Sequence, residues 1–246
     1  MEQDGVRNRG SKLYVKVNAP AVVRTELAKR SWKRETVAIG TVTDPYQPLE
    51  GRYRVTRGIL EALRDYQSPA SLITRSPLVV RDIDVLQGLA RAASVSVSIS
   101  IATLDESLAR EIEPTVAPPR QRLRAVRMLA GAGIAVNVAL APVLPHLTDT
   151  PENIEAVVRA ARDAGAAKVW HNTLYLHDIT RETFFGYLRE FRPELIAQYA
   201  QEYRGTYAPR AIANRIENEV RGALDRNPAR ALERIRSEAV VQLSLI

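Results

Sequence analysis

Short segments rich in apolar residues alternate with longer amphipathic segments from the start of the chain up to Asp178. Most of the short segments are apolar on both faces, as parallel strands are when helices cover the sheet. The predicted strands are Lys12–Val17, Val37–Gly40, Ala70–Thr74, Val95–Ile101, Ala135–Ala139 and Lys168–Leu174. The helices predicted between them are Ala21–Lys29, Val55–Tyr66, Asp82–Ala93, Arg120–Ala130 and Pro151–Ala164. This alternation predicts right-handed βαβ units, and therefore an α/β fold with a parallel sheet or barrel.

The predicted strands end near Asp178, and the segments Glu182–Tyr203 and Arg210–Leu224 have the pattern of helices. We therefore predict a disordered segment at 1–11, a barrel-like core at 12–178 and a helical extension at 179–246. Segment 1–11 is polar and lacks the apolar core of a signal peptide. Uncharged apolar stretches reach only about ten residues, which is too short to span a bilayer. We expect a cytoplasmic protein without a membrane partner.

The chain carries 35 basic and 28 acidic side chains, which gives a formal charge of +7. The basic residues are scattered over predicted helix faces, so we interpret the surplus as a compositional bias rather than as a nucleic-acid interface. DNA is a compatible but not a favoured partner. The chain contains no cysteine, so it can supply neither disulfides nor thiolate ligands for zinc or iron–sulfur clusters.

Polar residues are concentrated where the predicted strands end, which is where parallel α/β folds bind ligands. The positions are Thr41, Thr43, Asp44, Arg75, Ser98, Ser100, Asn137, Pro142 and their neighbours. One carboxylate, one guanidinium and several neutral groups suit a small zwitterionic or sugar-bearing ligand. The histidines have no HxH or HExxH spacing, and P-loop, GxGxxG and nucleophile-elbow motifs are absent, so no metal site is predicted.

Three of these positions have alternative structural interpretations. Asp44, which precedes a proline, has the pattern of a loop cap. Arg75 fits a surface cation near a strand end. The serines at 96, 98 and 100 share one strand face, which either lines a polar barrel lumen or is satisfied by pairing between hydroxyl groups.

Five segments together resemble the radical S-adenosylmethionine (SAM) proteins related to spore photoproduct lyase. They are SKLYVKVNAPAVVRTELAK, VAIGTVTDPYQPLEGRYRVTRGILEALRDY, SLITRSPLVVRDIDVL, VSISIATLDESLAREIEPTVAPPRQRLRAVRMLAGAGIAV and APVLPHLTD. The resemblance covers about residues 11–215, and the TDPYQPLE element is specific together with LITRS and the EIEPTVAPPRQRL segment. It implies a partial (β/α)6 TIM-like barrel of the radical SAM type, here without its first strand, followed by a helical C-terminal extension.

The resemblance also implies how SAM would bind. The loop that contains Thr41, Thr43 and Asp44 would meet the amino group of SAM. Arg75, where relatives often carry lysine, would face its carboxylate.

The remaining contacts that the resemblance implies come from the later strands. Ser98 and Ser100 would lie near the methionyl or ribose portion of SAM, and Asn137 and Pro142 would flank the adenine.

The sequence departs from the family in one respect. The family holds a 4Fe–4S cluster through three cysteines spaced CxxxCxxC, and the resemblance begins just after the place where that loop should end. With the cluster, the resemblance implies reductive cleavage of SAM for radical chemistry on an unknown substrate, with an electron donor such as flavodoxin or ferredoxin. Without it, that reaction is impossible, so we expect this chain to be inactive alone and its second barrel strand to be an exposed edge.

Three interpretations remain open. The chain is the greater part of a longer radical SAM enzyme whose cluster segment precedes it, or a degenerate non-catalytic binding or interaction module, or the product of a decaying gene. The clean retention of the TDPYQPLE element and of the strand pattern, with no charge in the core strands, argues against long decay.

Overall fold

The computed structural model describes residues 15–229. Within them, five parallel strands form one sheet in sequential order, with bounds β1 Val37–Ile39, β2 Ala70–Thr74, β3 Val95–Ser100, β4 Ala135–Val143 and β5 Lys168–Thr173. A sequential order combined with right-handed crossovers places the connecting helices on one face of the sheet. The result is a mixed α/β fold consistent with a partial TIM-like barrel.

Ten α-helices accompany the strands in this part of the chain. They are α1 Ala19–Leu27, α2 Glu50–Tyr53, α3 Val55–Asp65, α4 Ile83–Ala92, α5 Glu106–Ile112, α6 Pro119–Gly131, α7 Pro151–Asp163, α8 Asp178–Phe191, α9 Ile196–Glu202 and α10 Arg210–Arg226. Two 3₁₀ helices, Pro77–Asp82 and Pro193–Leu195, precede α4 and α9.

Two predicted elements differ from the structure. The strand predicted at Lys12–Val17 is wrong at residues 15–17, which lead through a turn into α1, while residues 12–14 and the segment 1–11 lie outside the described residues. Pro20 at the first turn of α1 favours this early helix start. The single helix predicted at Glu182–Tyr203 is two helices, because a 3₁₀ turn beginning at Pro193 separates α8 from α9.

Helix α5 was not predicted. Its beginning is fixed by Asp105, whose carboxylate accepts hydrogen bonds from the amides of Ser107 (2.8 Å) and Leu108 (3.1 Å). Such an N-cap satisfies amides that the first helical turn leaves without partners. At seven residues, the helix is too short for a periodic pattern to reveal it.

The two faces of the sheet have different environments. Aliphatic side chains of one face, including Leu72, Val97 and Val138, are fully buried under the helices. Burial of each such side chain stabilises the fold by roughly 1.5–3 kcal/mol. The opposite face carries the serines of β3, and Ser98 lies beside Asn137 of β4 in the strand register. Because side chains alternate along a strand, these polar residues share the face opposite the buried aliphatic one.

A second apolar cluster lies beyond the carboxyl ends of β4 and β5. It consists of Leu144, Leu174, Leu176, Phe184, Leu188, Tyr199 and Tyr203. Two tyrosine hydroxyls in it donate to loop carbonyls, Tyr203 to Leu174 O at 3.0 Å and Tyr199 to Pro145 O. Helices α8 and α9 are thereby fixed over the end of the sheet where parallel folds bind ligands.

Candidate functional site

A glycine allows the β1–α2 loop to approach strand β2 closely. Gly40 has a φ of +93°, and a Cβ atom at this position would lie 2.1 Å from the carbonyl oxygen of Ile73 and 2.9 Å from Cδ of Pro45. A residue with a side chain cannot occupy this position without moving the backbone. The loop that leads into the TDPYQPLE element therefore contains a turn that requires glycine.

Asp44 joins this loop to the end of β2. Its carboxylate accepts hydrogen bonds from the amide of Tyr46 (2.8 Å), the hydroxyl of Thr74 (2.6 Å) and the amide of Arg75 (2.7 Å). The interpretation of Asp44 as a loop cap therefore has a structural basis. A carboxylate has about four acceptor positions, so three bonds leave it capacity for one ligand donor.

A network of charged side chains stabilises the β1–α2 loop. The Tyr46 hydroxyl donates to Oδ2 of Asp82 at 3.0 Å. Asp82 is fully buried and also accepts from Arg57 (3.1 Å) and from Arg81 (2.8 and 2.9 Å). Burial and the neighbouring Asp82 raise the pKa of Tyr46, so this hydroxyl remains a donor.

Glu50 connects the same network to helix α3. Its carboxylate accepts from the amides of Thr56 (3.1 Å) and Arg57 (3.3 Å) at the beginning of α3, and from Arg81 Nη2 (2.9 Å). Tyr46 and Glu50 thus shape the loop that presents Thr41, Thr43 and Asp44.

Arg75 belongs to a second ionic group on the other side of the site. Its Nη1 donates to Glu113 Oε1 at 3.0 Å, and the other oxygen of Glu113 accepts from Arg122 Nη2 at 2.6 Å. Arg122 is only 2% exposed and also donates to the carbonyls of Ser100 (3.0 Å) and Ala117 (2.7 Å). Glu113 therefore holds Arg75 against the end of β3, while about half of the Arg75 side chain stays exposed.

Two cavities meet at Arg75. A cleft of about 450 Å³ is lined by Thr43, Asp44, Arg75 and the 115–117 loop. A second cavity of about 370 Å³ is lined by Arg75, Glu113 and Arg122 together with an apolar and aromatic wall. That wall includes Ile112, Pro142, Leu144, Leu174, Phe184 and Tyr187. Volumes of this size are typical of small-molecule sites.

The structure brings most of the predicted site residues to one end of the sheet. Thr43, Asp44 and Arg75 share the first cleft, and Arg75 and Pro142 share the second cavity. Thr41 is exposed in the same loop as Asp44. The role predicted for each in SAM binding stays a prediction.

Ser98, Ser100 and Asn137 line neither cavity and lie on the sheet face opposite the buried aliphatic side chains. The hydroxyl of Ser98 accepts from Nε1 of Trp170 at 3.2 Å. The indole ring is thus anchored on this face, and about a third of Trp170 is exposed.

Most residues of the wall of the second cavity were not among the predicted site residues, including its two further charged residues and its two aromatic residues. Glu113 and Arg122 lie within the EIEPTVAPPRQRL segment, whose charged residues could have indicated them. Phe184 and Tyr187 come from helix α8, where a spacing of three gives no sign of a ligand site.

The residues present do not fit an iron–sulfur cluster. The sequence has no cysteine, and between residues 15 and 229 no three histidine, aspartate or glutamate side chains come together as a metal site. No helix in that range is both long and apolar enough to cross a membrane.

Comparison with known proteins gives relatives in sequence and in structure. No protein-family model matches the chain. The uncharacterised protein Rv2578c of Mycobacterium tuberculosis is 38% identical over 211 residues, which is 85% of this chain and 62% of that protein. This chain therefore spans less than two thirds of the length of that relative.

Two solved structures align with most of the chain. A spore photoproduct lyase mutant, solved with bound AdoMet and dinucleoside spore photoproduct, aligns with a TM-score of 0.65 at 14% identity over 87% of this chain and 65% of that one. Streptococcus suis SuiB aligns with a TM-score of 0.52 at 14% identity over 79% of this chain and 37% of that one. The predicted relation is thereby confirmed at the level of the fold: this chain has the fold of the radical SAM enzymes related to spore photoproduct lyase.

Proposed function

We propose that this chain is the SAM-binding part of a radical SAM protein. The observation that carries the proposal is the position of Arg75, a half-exposed cation at the junction of two small-molecule cavities. A zwitterionic nucleoside such as SAM needs an acceptor for its ammonium, a cation for its carboxylate and an apolar place for its ring. All three kinds of group line these two cavities.

In this proposal the SAM ammonium binds beside the loop of Thr41, Thr43 and Asp44, and the carboxylate binds Arg75. The remaining acceptor position of Asp44 suits one ammonium hydrogen.

The other half of SAM is assigned to the later strands. Pro142 flanks the adenine in this proposal, because it lines the second cavity. Ser98, Ser100 and Asn137 line neither cavity, so their expected contacts with the methionyl or ribose portion and with the adenine stay predictions. Bound SAM would supply the adenosyl group for radical chemistry, and the residues of this chain would bind and orient it.

The cluster does not fit the residues of this chain, and we derive no reaction step through it. We propose that a cysteine-bearing segment and the first barrel strand belong to a longer form of the protein. Strand β1 is at the edge of the described sheet, so its outer side is where a further strand could pair.

The intact mass of the protein in its native cells tests the proposal. We expect a mass above the 27.4 kDa of this chain, with cysteine-containing peptides preceding Met1. A native mass of 27.4 kDa would instead favour the non-catalytic binding or interaction module.

Replacement of Arg75 by alanine tests the binding mode. We expect this chain to bind S-adenosylhomocysteine weakly, because the family's cluster iron supplies part of the anchoring. We expect Arg75→Ala to weaken that binding about tenfold, since one charge-assisted hydrogen-bond partner is lost. Ligand-observed NMR detects binding of this strength.

The exposed cation of a surface ion pair provides the control. Arg120, whose side chain is 83% exposed, pairs with Glu106 away from both cavities. Arg120→Ala should leave the affinity within about twofold. Equal affinities of Arg75→Ala and the unaltered chain would refute the assignment of Arg75.

A further inference from the structure

The aromatic part of the 370 Å³ cavity comes from outside the sheet. Phe184 and Tyr187 line it from helix α8, whereas the ionic group of Arg75, Glu113 and Arg122 comes from segments that follow β2 and β3. The cavity wall therefore has two chemically different regions, one that suits a charged group and one that suits a flat apolar group.

The two rings are held in place by their surroundings. The Tyr187 hydroxyl donates to Glu111 at 2.5 Å, and the same carboxylate accepts from Arg192 at 2.8 Å. The ring of Phe184 lies 5.7 Å from that of Tyr187 and 4.9 Å from that of Tyr199, between ring centres. A preorganised ring loses little conformational entropy when a ligand binds against it.

An aromatic and aliphatic cavity wall of this kind suits a planar ring. Aromatic side chains stack with nucleobases through their faces, and the adjacent aliphatic side chains exclude water from the ring edges. Pro142, which the family resemblance implies would flank the adenine, lines the same cavity.

Resting on the proposed function, we propose that Phe184 and Tyr187 of the helical extension bind the adenine ring of SAM. The extension is then part of the nucleoside site rather than an appended structure. Helix α8 would determine the preference for a purine, while Arg75 would determine the preference for a carboxylate.

Two fragments of SAM test the charged and the apolar regions of the cavity separately. 5′-Methylthioadenosine carries the adenosine without the amino acid, and methionine carries the amino acid without the adenosine. Only 9% of Phe184 is exposed, so Tyr187 supplies the larger part of the aromatic surface. We expect Tyr187→Leu to weaken binding of 5′-methylthioadenosine about tenfold, because a stacking platform is removed, and Phe184→Leu to weaken it by less. Methionine binding should change by less than about twofold, because Arg75 and its partners are untouched.

Substitutions on the same helix provide the controls. Phe185 lies next in the sequence, packs beneath the guanidinium of Arg181 and does not line the cavity. Phe185→Leu should leave 5′-methylthioadenosine binding unchanged. Tyr187→Leu should weaken it, whereas Tyr187→Phe, which keeps the ring and loses only the bond to Glu111, should preserve most of it.

The outcomes distinguish this inference from the proposed function. If the unaltered chain binds neither 5′-methylthioadenosine nor S-adenosylhomocysteine, the proposed function fails and the inference fails with it. If the chain binds both, and Phe184→Leu and Tyr187→Leu bind 5′-methylthioadenosine as well as the unaltered chain does, only the inference is overturned. Circular dichroism identifies a Phe184 variant that does not fold, and in that case the Tyr187 pair decides.

Discussion

Gly40→Ala should reduce the free energy of unfolding by about 3 kcal/mol or more. The added Cβ would lie 2.1 Å from the carbonyl oxygen of Ile73, and the φ of +93° at this position is itself unfavourable for alanine. Neither the flanking strand β1 nor β2 can move freely, because the two are paired in the sheet. Urea denaturation followed by circular dichroism measures the loss.

Gly51 is the matched control. It lies in helix α2 within the same segment, and a Cβ there would meet nothing within 4 Å. Gly51→Ala should leave stability unchanged or raise it by up to about 1 kcal/mol, since alanine favours helices. If both variants are equally stable, the close contact between Gly40 and β2 does not exist in solution.

Removal of the buried carboxylate at position 82 should reduce the free energy of unfolding by a comparable amount. Asp82 is fully buried and is the common partner of Tyr46, Arg57 and Arg81. Asp82→Asn preserves the size of the side chain but leaves two guanidinium groups without their shared anion. Breaking a buried ion pair costs about 3–5 kcal/mol. We expect the free energy of unfolding to fall by an amount near the lower end of that range, because both arginines are partly exposed.

Asp84 is a comparable carboxylate that lies at the surface. Its side chain is 63% exposed and pairs with Arg57, the arginine that Asp82 also binds. The hydrogen bond from Arg57 is the main cause that lowers the pKa of Asp84 to about 2. A lowered pKa stabilises the fold above the unfolded-state value near 4, and this contribution is lost as the pH falls toward 2.

Solvent screening keeps the Asp84 contribution small, so Asp84→Asn should cost less than about 1 kcal/mol. Similar losses in the Asp82 and Asp84 variants at neutral pH would show that burial of the network does not matter.

Sequence periodicity was sufficient to predict most of the fold. Strand β2 was predicted with the bounds that the structure has, and α3 and α7 end one residue earlier than predicted. These elements have clear apolar faces, and periodicity detects such faces directly. The error at residues 15–17 arose because valine and lysine alternate there as in a strand, although a turn and the proline of α1 follow.

The candidate site was less accessible to prediction. The residues that follow strands, such as Asp44 and Arg75, could be identified because parallel folds place strand ends together. Their actual partners could not, since Glu113 and Arg122 come from the α5–α6 region and reach Arg75 only in three dimensions. The aromatic wall of Phe184 and Tyr187 was missed for the same reason, because the contact joins segments more than 40 residues apart.

The sharing of Glu113 between two arginines has a consequence for selectivity by charge. Two guanidinium groups and one carboxylate leave a surplus of one positive charge at this corner of the cavity. A ligand with one carboxylate would neutralise this surplus. It would therefore bind without leaving a net charge in a partly desolvated site. A phosphate monoester, which carries nearly two negative charges at neutral pH, would leave an excess anion beside Glu113. In the proposed binding mode the ammonium of SAM offsets the nearby Asp44 carboxylate, and this corner would then favour a monoanionic ligand group over a dianionic one.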